Sequence, residues 1–217
     1  METIHKLMNT SGKLERDLSI AEITNGFKYD GAMNKEGVTI NGSNYIAKKN
    51  KNDWNLNVYC EYIASRFINN LAPCFEETIK ITAHETNLFK DATTDSLYVL
   101  VKDFIGPERK LIKYFDIQQA GLESRDPAAG KRMQYEFSTI IKHNNNHKKI
   151  ADNEKSEIRS QFWIMFFLDA ILGNRDRHGG NWGFLDQGNG YKMAPIYDNG
   201  SALFPEIEAK MNQYLND

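Results

Sequence analysis

Gly173 to Pro205 reads G-N-R-D-R-H-G-G-N-W-G-F-L-D-Q-G-N-G-Y-K-M-A-P-I-Y-D-N-G-S-A-L-F-P, and this stretch decides how the chain folds. Before it, Asn153 to Leu172 has helical texture and turns apolar almost all round from Phe162, which predicts a helix buried in the middle of a lobe. Gly173 is placed to end that helix as a left-handed cap. The chain then enters a loop holding Asp176, His178 and Asn181. Trp182 to Leu185 and Tyr191 to Ala194 read as strands joined by the turn Asp186 to Gly190. Such a hairpin sets its outer ends side by side, so Asn181 and Asp198 are expected at one edge. An acid, an amide and a second acid converging there suit phosphoryl transfer. Asp and Asn oxygens can hold Mg2+ against phosphates while another Asp orients the attacking hydroxyl.

The spacing sharpens this reading. Asp176 to Asn181 has the D-x-x-x-x-N spacing of a protein-kinase catalytic loop, which is likewise followed by a hairpin and a metal-binding Asp. The competing reading is a polar loop whose Asp and Asn cap turns; the helix before and the P-I-Y-D-N-G after weigh against it. His178 stands where many kinases place a lysine, and its imidazole is positioned to orient Asp176 or meet phosphate charge. Asp169 sits inside F-W-I-M-F-F-L-D-A-I-L-G, where an unpaired carboxylate is costly. It is expected to brace the loop of Asp176, with loop amides and His178 as the nearest donors.

Groups that hold nucleotide should lie upstream. Lys48 ends the strand Y-I-A-K, and Glu61 follows one helix later on a face shared with Val58, Ala64 and Ile68, where it needs a partner. Lys49 is the rival for the strand lysine, because alternation puts the two on opposite faces. Gly31 and Gly37 flank a loop able to approach phosphates closely. L-Y-V-L-V-K-D-F, Leu97 to Phe104, is an apolar strand running into a polar link that would offer hinge backbone to adenine.

The first part of the chain looks β-rich. Strands are expected at Leu18–Ile23, Gly37–Ile40, Tyr45–Lys48, Glu77–Thr82 and Leu97–Val101, with a polar hairpin loop at Asn41–Asn44. Asp53 is placed to cap a helix reaching Leu71, carrying Val58, Tyr59, Ile63, Phe67 and Leu71 in helical register. After Phe104 the texture is helical, with candidates at Ile112–Gln119, Lys131–Ile141 and Asn153–Leu172, and Lys142–Lys149 reads as a loop or frayed helix end. The expectation is an α+β fold of two lobes around a cleft: a β-rich lobe with one long helix over residues 1–103 and a mainly helical lobe over 104–217.

Composition narrows the function classes. The 217 residues are 41% apolar and 26% charged, enough for a real core. A formal charge of -2 supplies no global basic field for nucleic acid or anionic membrane. The longest apolar run, Phe162 to Leu168, is far short of the roughly 20 residues of a spanning helix. The first ten residues carry an early acid and no apolar run, so no secretory signal is expected. Cys60 and Cys74 have no metal-site or disulfide-framework spacing, which makes a reducing cytoplasm the default.

With these residues in view, the chain resembles the HipA family of bacterial serine/threonine kinases from about Gly26 to Pro205. The likeness rests on G-A-x-x-K at Gly31–Lys35, Y-I-A-K, the E-Y of Glu61, V-K-D-F at Val101, L-G-N-R-D-R-H-G-G-N-W-G-F-L and A-P-I-Y-D-N-G. It implies a protein-kinase-like fold, ATP with Mg2+, and transfer to Ser or Thr hydroxyls of a protein, the chain itself included. It marks Gly31, Ala32, Lys35, Lys48, Glu61, Val101, Lys102 and Phe104 as ATP-binding, Asp176 and His178 as catalytic, and Asn181 and Asp198 as metal-holding. An antitoxin or helper protein is the implied partner, in a bacterial cytoplasm, with delivery into a host cell left open. Where the family carries an autophosphorylated serine this chain has Lys28, with Tyr29 beside it. The family's N-terminal subdomain has no counterpart, and only 217 - 198 = 19 residues follow Asp198, where the family usually adds several helices. Type II phosphatidylinositol 4-kinases share a D-R-x-x-x-N-W loop and an I-D-N-G segment, which makes lipid phosphorylation the alternative. A nucleotide-binding pseudokinase is the non-enzyme reading.

Overall fold

The structure is a computed structural model that describes residues 22–23, 34–40, 42–49, 56–75, 79–90, 96–122 and 137–205. Gly31, Ala32, Lys28, Tyr29 and Asp53 lie outside the described residues. A five-stranded antiparallel sheet has the order β1-β2-β3-β5-β4, from Glu22–Ile23, Asn34–Ile40, Ser43–Lys49, Leu97–Lys102 and Thr86–Lys90 respectively. Ile40 pairs with Ser43, so the β2–β3 turn is tighter than the expected Asn41–Asn44 loop. Helix α1, Asn57–Leu71, lies across one face, and a short 3-10 turn at Ala72–Cys74 follows it.

Alternation along β5 explains how the sheet is filled. Val99 and Val101 face α1 and pack with Val58, while Tyr98 and Leu100 join Val38, Ala47 and Phe89 on the other face. The apolar face expected for α1 is only partly right. Tyr59, Ile63 and Phe67 are exposed, and the buried stripe is Val58, Glu61, Ala64, Ser65 and Ile68. A helix lying on a sheet buries one stripe, and here the stripe is the one that carries Glu61.

The second group of elements contains a three-stranded sheet β6-β7-β8, Lys110–Lys113, Gly183–Asp186 and Tyr191–Met193, with helices α2 Tyr114–Leu122, α3 Phe137–Asn146 and α4 Asp152–Leu172. Its core gathers Phe162, Met165 and Leu168 from α4 with Tyr114, Trp182 and Phe184, and Ala64 and Ile68 of α1 reach into the same cluster. Tyr114 stacks on Trp182 with ring centroids 4.3 Å apart. Each such buried side chain contributes about 1.5–3 kcal/mol through area removed from water. None of the helices is long and apolar enough to cross a membrane, among the described residues.

Three expectations change. The run Ile112–Gln119 divides into strand β6 and helix α2, because K-L-I-K pairs with β7 before the helix begins. No strand occupies 79–82; Ala83 makes a single parallel bridge to Ile196, and the strand lies further on, at β4. Helix α4 is not buried all round: Trp163, Phe166, Phe167 and Ile171 are 44–60% exposed, while Ile158, Phe162, Met165, Leu168, Asp169 and Leu172 form its inner stripe. Gly173 caps α4 at φ 64, as expected.

Gly183 opens β7 where β6 passes closely: a Cβ there would stand 2.2 Å from the Ile112 carbonyl oxygen. Gly183→Ala is therefore expected to lower stability by about 1–3 kcal/mol through backbone displacement. A thermal melt checks this, and an unchanged midpoint would mean the sheet yields more easily than its pairing suggests.

Candidate active site

Strand β3 delivers Lys48 inward and Lys49 outward. Lys48 is buried, and its Nζ donates to Glu61 Oε2 at 3.0 Å and to Asp198 Oδ1 at 2.9 Å. Lys49 sits instead over the Tyr98 ring, 5.6 Å from its centroid. Glu61 is fully buried on α1, with two hydrogen bonds and one close imidazole around its carboxylate. Besides Lys48, its Oε1 accepts the Asn199 backbone N–H at 3.0 Å, and His84 Nε2 lies 2.8 Å from Oε1, off the line of a good hydrogen bond.

The charges explain the titration of this cluster. Burial disfavours the ionised form of Glu61, but Lys48 and His84 outweigh it and hold the carboxyl well below the usual range. Asp198 is likewise penalised by burial, and Lys48 leads the cations that keep it below the ordinary carboxylate value. For Lys48 the desolvation is overcome by Glu61 and Asp198, so its ammonium is held above the ordinary lysine value. Lys35, opposite Lys48 in the β2–β3 register, goes the other way, because burial lowers it more than Asp198 raises it.

The loop after α4 supplies the second half. Asn181 Nδ2 donates to the Asp176 carbonyl at 2.7 Å and to its Oδ2 at 3.3 Å, which leaves the amide oxygen as the end able to meet a cation. Asp176 is more than half exposed. His178 Nδ1 accepts the Gly180 N–H at 3.0 Å, while its Nε2 stands 3.8 Å from Asp176 Oδ1, beyond hydrogen-bond reach. Asp169 does brace this loop, through donors other than the expected ones. Arg177 grips it with Nε at 2.8 Å and Nη2 at 2.9 Å, and Asn174 Nδ2 adds a bond at 2.8 Å. His178 takes no part in that contact.

Lys35, Lys48, Val101, Phe104, Asp176, His178, Asn181 and Asp198 thus line one cleft of about 470 Å3, with His84 at its wall. Lys102 is not brought in: its Nζ bonds Glu85 on the surface, and its N–H is taken by the Glu85 carbonyl. The hinge amides of Asp103, Ile105 and Gly106 are also engaged, with the Asn44 carbonyl and the Asp103 carboxylate. A second, largely apolar cavity of about 560 Å3 meets the first at Asp176 and His178, with Phe162, Phe166 and Trp182 in its walls. A further cavity, between α4 and β8, holds none of the candidate residues.

No group of three or more His, Cys, Asp or Glu side chains suited to a metal occurs among the described residues. Mg2+ needs no such cage: one carboxylate, one amide oxygen and phosphate oxygens satisfy it, and Asp198 with Asn181 fits that donor set. Sequence reasoning missed His84, Arg177 and Asn199. A signal existed for Arg177 alone, since a carboxylate inside an apolar helix calls for a cation and Arg177 follows two turns later.

The geometry is that of a two-lobed α+β, protein-kinase-like fold, and comparison with known proteins agrees. The profile of the HipA-like C-terminal domain matches residues 27–216, and the chain belongs to that family. The serine/threonine-protein kinase CtkA of Helicobacter pylori is 30% identical over 152 residues, which are 69% of this chain and 42% of that protein. The crystal structure of the Helicobacter pylori proinflammatory kinase CtkA is similar with a TM-score of 0.72 at 27% identity, covering 91% of this chain and 64% of the other. This chain therefore spans less than two thirds of the relative it matches.

Proposed function

We propose that this chain is an ATP- and Mg2+-dependent protein kinase of the HipA-like type, transferring the γ-phosphate to a Ser or Thr hydroxyl of a protein, itself included. One observation carries the reading. Lys48, Glu61 and Asp198, separated by 13 and 150 residues, close one buried ion-paired cluster in the cleft that also receives Asp176 and Asn181. Buried charge of this kind is costly to maintain for stability alone and is expected where phosphates bind.

In this reading residues 1–103 bind nucleotide and 104–217 carry the reacting groups. Lys48, held by Glu61, exchanges its bond to Asp198 for the α/β-phosphates, with Lys35 facing the same cleft. Val101 and Phe104 flank the adenine. Asp198 and Asn181 would hold Mg2+, which when bound would neutralise phosphate charge. Asp176 orients the acceptor hydroxyl and takes its proton as the new O–P bond forms and the bond to the β-phosphate oxygen breaks. His178 shapes the loop through Gly180. The acceptor reaches Asp176 from the side of the apolar cavity.

The test is incubation with labelled ATP, with and without Mg2+, against protein and phosphoinositide acceptors, followed by mass spectrometry of the chain. Label on Ser or Thr that requires metal supports the reading. Label confined to lipid, or ATP binding without turnover, overturns it in favour of a lipid kinase or a pseudokinase.

A further inference from the structure

The segment Tyr197–Gly200 contains a backbone anomaly next to a buried amide. Asp198 adopts φ 59, in the left-handed region that side chains other than glycine adopt uncommonly, and its neighbours hold it there. The enforcement comes from both sides. The Tyr197 carbonyl accepts from Arg177 Nη1, and the Tyr197 hydroxyl donates to the Gly180 carbonyl at 3.2 Å. On the other side stands Asn199, 1% exposed. Its N–H donates to Glu61 Oε1 at 3.0 Å, its Nδ2 to Ser65 Oγ at 3.1 Å, and its Oδ1 accepts from Arg177 Nη2 at 2.6 Å.

Asn199 is therefore bonded to α1 twice and to the catalytic loop once. A continuous polar chain runs Lys48, Glu61, Asn199, Arg177, Asp169, crossing from β3 through α1 and the Asp198 segment to the end of α4. An apolar side chain at 199 would leave the Ser65 hydroxyl and one Arg177 N–H without this partner in a buried setting. The N–H bond to Glu61 would remain, but Asp198 would lose the two side-chain bonds that hold the segment after it against Ser65 and Arg177, which loosens its backbone conformation and the direction of its carboxylate.

We infer that Asn199 is a positioning residue that fixes the carboxylate of Asp198 for metal and locks the Lys48–Glu61 pair to the loop of Asp176 and Asn181. It touches neither nucleotide nor metal. The inference rests on the reading of Asp198 given above and names a residue that neither the motifs nor the charge pattern single out.

Metal titration of the binding of a fluorescent ATP analogue to the full chain tests it, with melting temperatures recorded alongside. Asn199→Ala should raise the Mg2+ concentration for half-maximal binding by about tenfold, the scale of one lost hydrogen bond to a charged group. Ser65→Ala removes one partner from Asn199 at less risk to folding, and should move the midpoint in the same direction by a smaller factor. If both variants melt earlier yet keep the wild-type metal midpoint, Asn199 is only a structural residue and the inference falls. Asp198→Asn, measured in parallel, separates the failures. Loss of metal dependence there with none in the other two overturns the role of Asn199 alone; retained metal dependence in Asp198→Asn overturns the site reading and this inference together.

Discussion

Asp176→Asn is expected to lower phosphoryl transfer by about a thousandfold or more while leaving the melting temperature nearly unchanged. The asymmetry follows from where Asp176 sits. Its side chain is more than half exposed, and its carboxylate accepts one long bond, 3.3 Å from Asn181 Nδ2. The loop is held by other atoms: the Asp176 carbonyl accepts from Asn181, and the Asp176 N–H donates to Asn174 Oδ1 at 3.2 Å. Asparagine keeps the shape and those backbone bonds and removes only the negative oxygen that the proposed function assigns to orienting and deprotonating the acceptor. His178→Gln should cost far less, because the imidazole is bonded to Gly180 and stands 3.8 Å from Asp176. Single-turnover transfer from labelled ATP, beside a circular-dichroism melt, checks both. Wild-type turnover by the Asp176→Asn protein would sink the assignment of the catalytic aspartate.

The hairpin around Asp186–Gly190 was legible because local rules govern it. Strand alternation, a glycine-rich turn and a glycine cap are written in consecutive residues, and β7, β8 and the φ of Gly173 follow them. Lys48 was legible in part: alternation puts it and Lys49 on opposite faces, and the likeness of Y-I-A-K to the family strand, with the need of Glu61 for a partner, chose between them. The outer face of α4 was not. F-W-I-M-F-F-L-D carries apolar residues on every side, and sequence pattern does not say which stripe the rest of the fold covers. Strands β4 and β6 are too short for periodicity to distinguish from helix or loop. In the site, residues that carry charge toward the cleft announced themselves by spacing. Those that hold them did not, because His84 meets Glu61 only when the parallel bridge between Ala83 and Ile196 is made, and Asn199 meets Ser65 and Arg177 only in three dimensions.

Lys48→Met should both abolish tight nucleotide binding and add a pH dependence of stability that the intact cluster does not contribute. In the wild-type protein Glu61 and Asp198 titrate below the ordinary carboxylate range, so their contribution is fully present above the unfolded value of about 4 and is lost only as pH falls through the depressed folded values. Lys48 titrates above its ordinary value, so its contribution is present below about pH 10.4 and is lost as pH rises through the higher folded value. Between those limits the contribution of these three groups is nearly independent of pH, and His143 and His147, whose imidazoles burial holds below the ordinary value, cost stability in both wild type and variant as pH falls. Methionine fills the space of the lysine stem and takes away the cation that faces both carboxylates. Breaking a buried pair from one side costs about 3–5 kcal/mol, roughly a 10 °C fall in melting temperature for a chain of this size. Burial is the largest single influence on Glu61, and without Lys48 it drives the folded carboxyl upward. A carboxyl raised above its unfolded value binds a proton more tightly in the native state than in the unfolded chain. The loss of stability relative to the wild type is therefore expected to shrink as pH falls from about 8 to 5.5. Lys49→Ala, which removes only a cation over the Tyr98 ring, should follow the wild-type curve. Melting curves across that range decide the matter: a difference from wild type that stays constant with pH for Lys48→Met, or one that changes with pH for Lys49→Ala, would mean that the buried carboxylates owe their charge to something other than the β3 lysine.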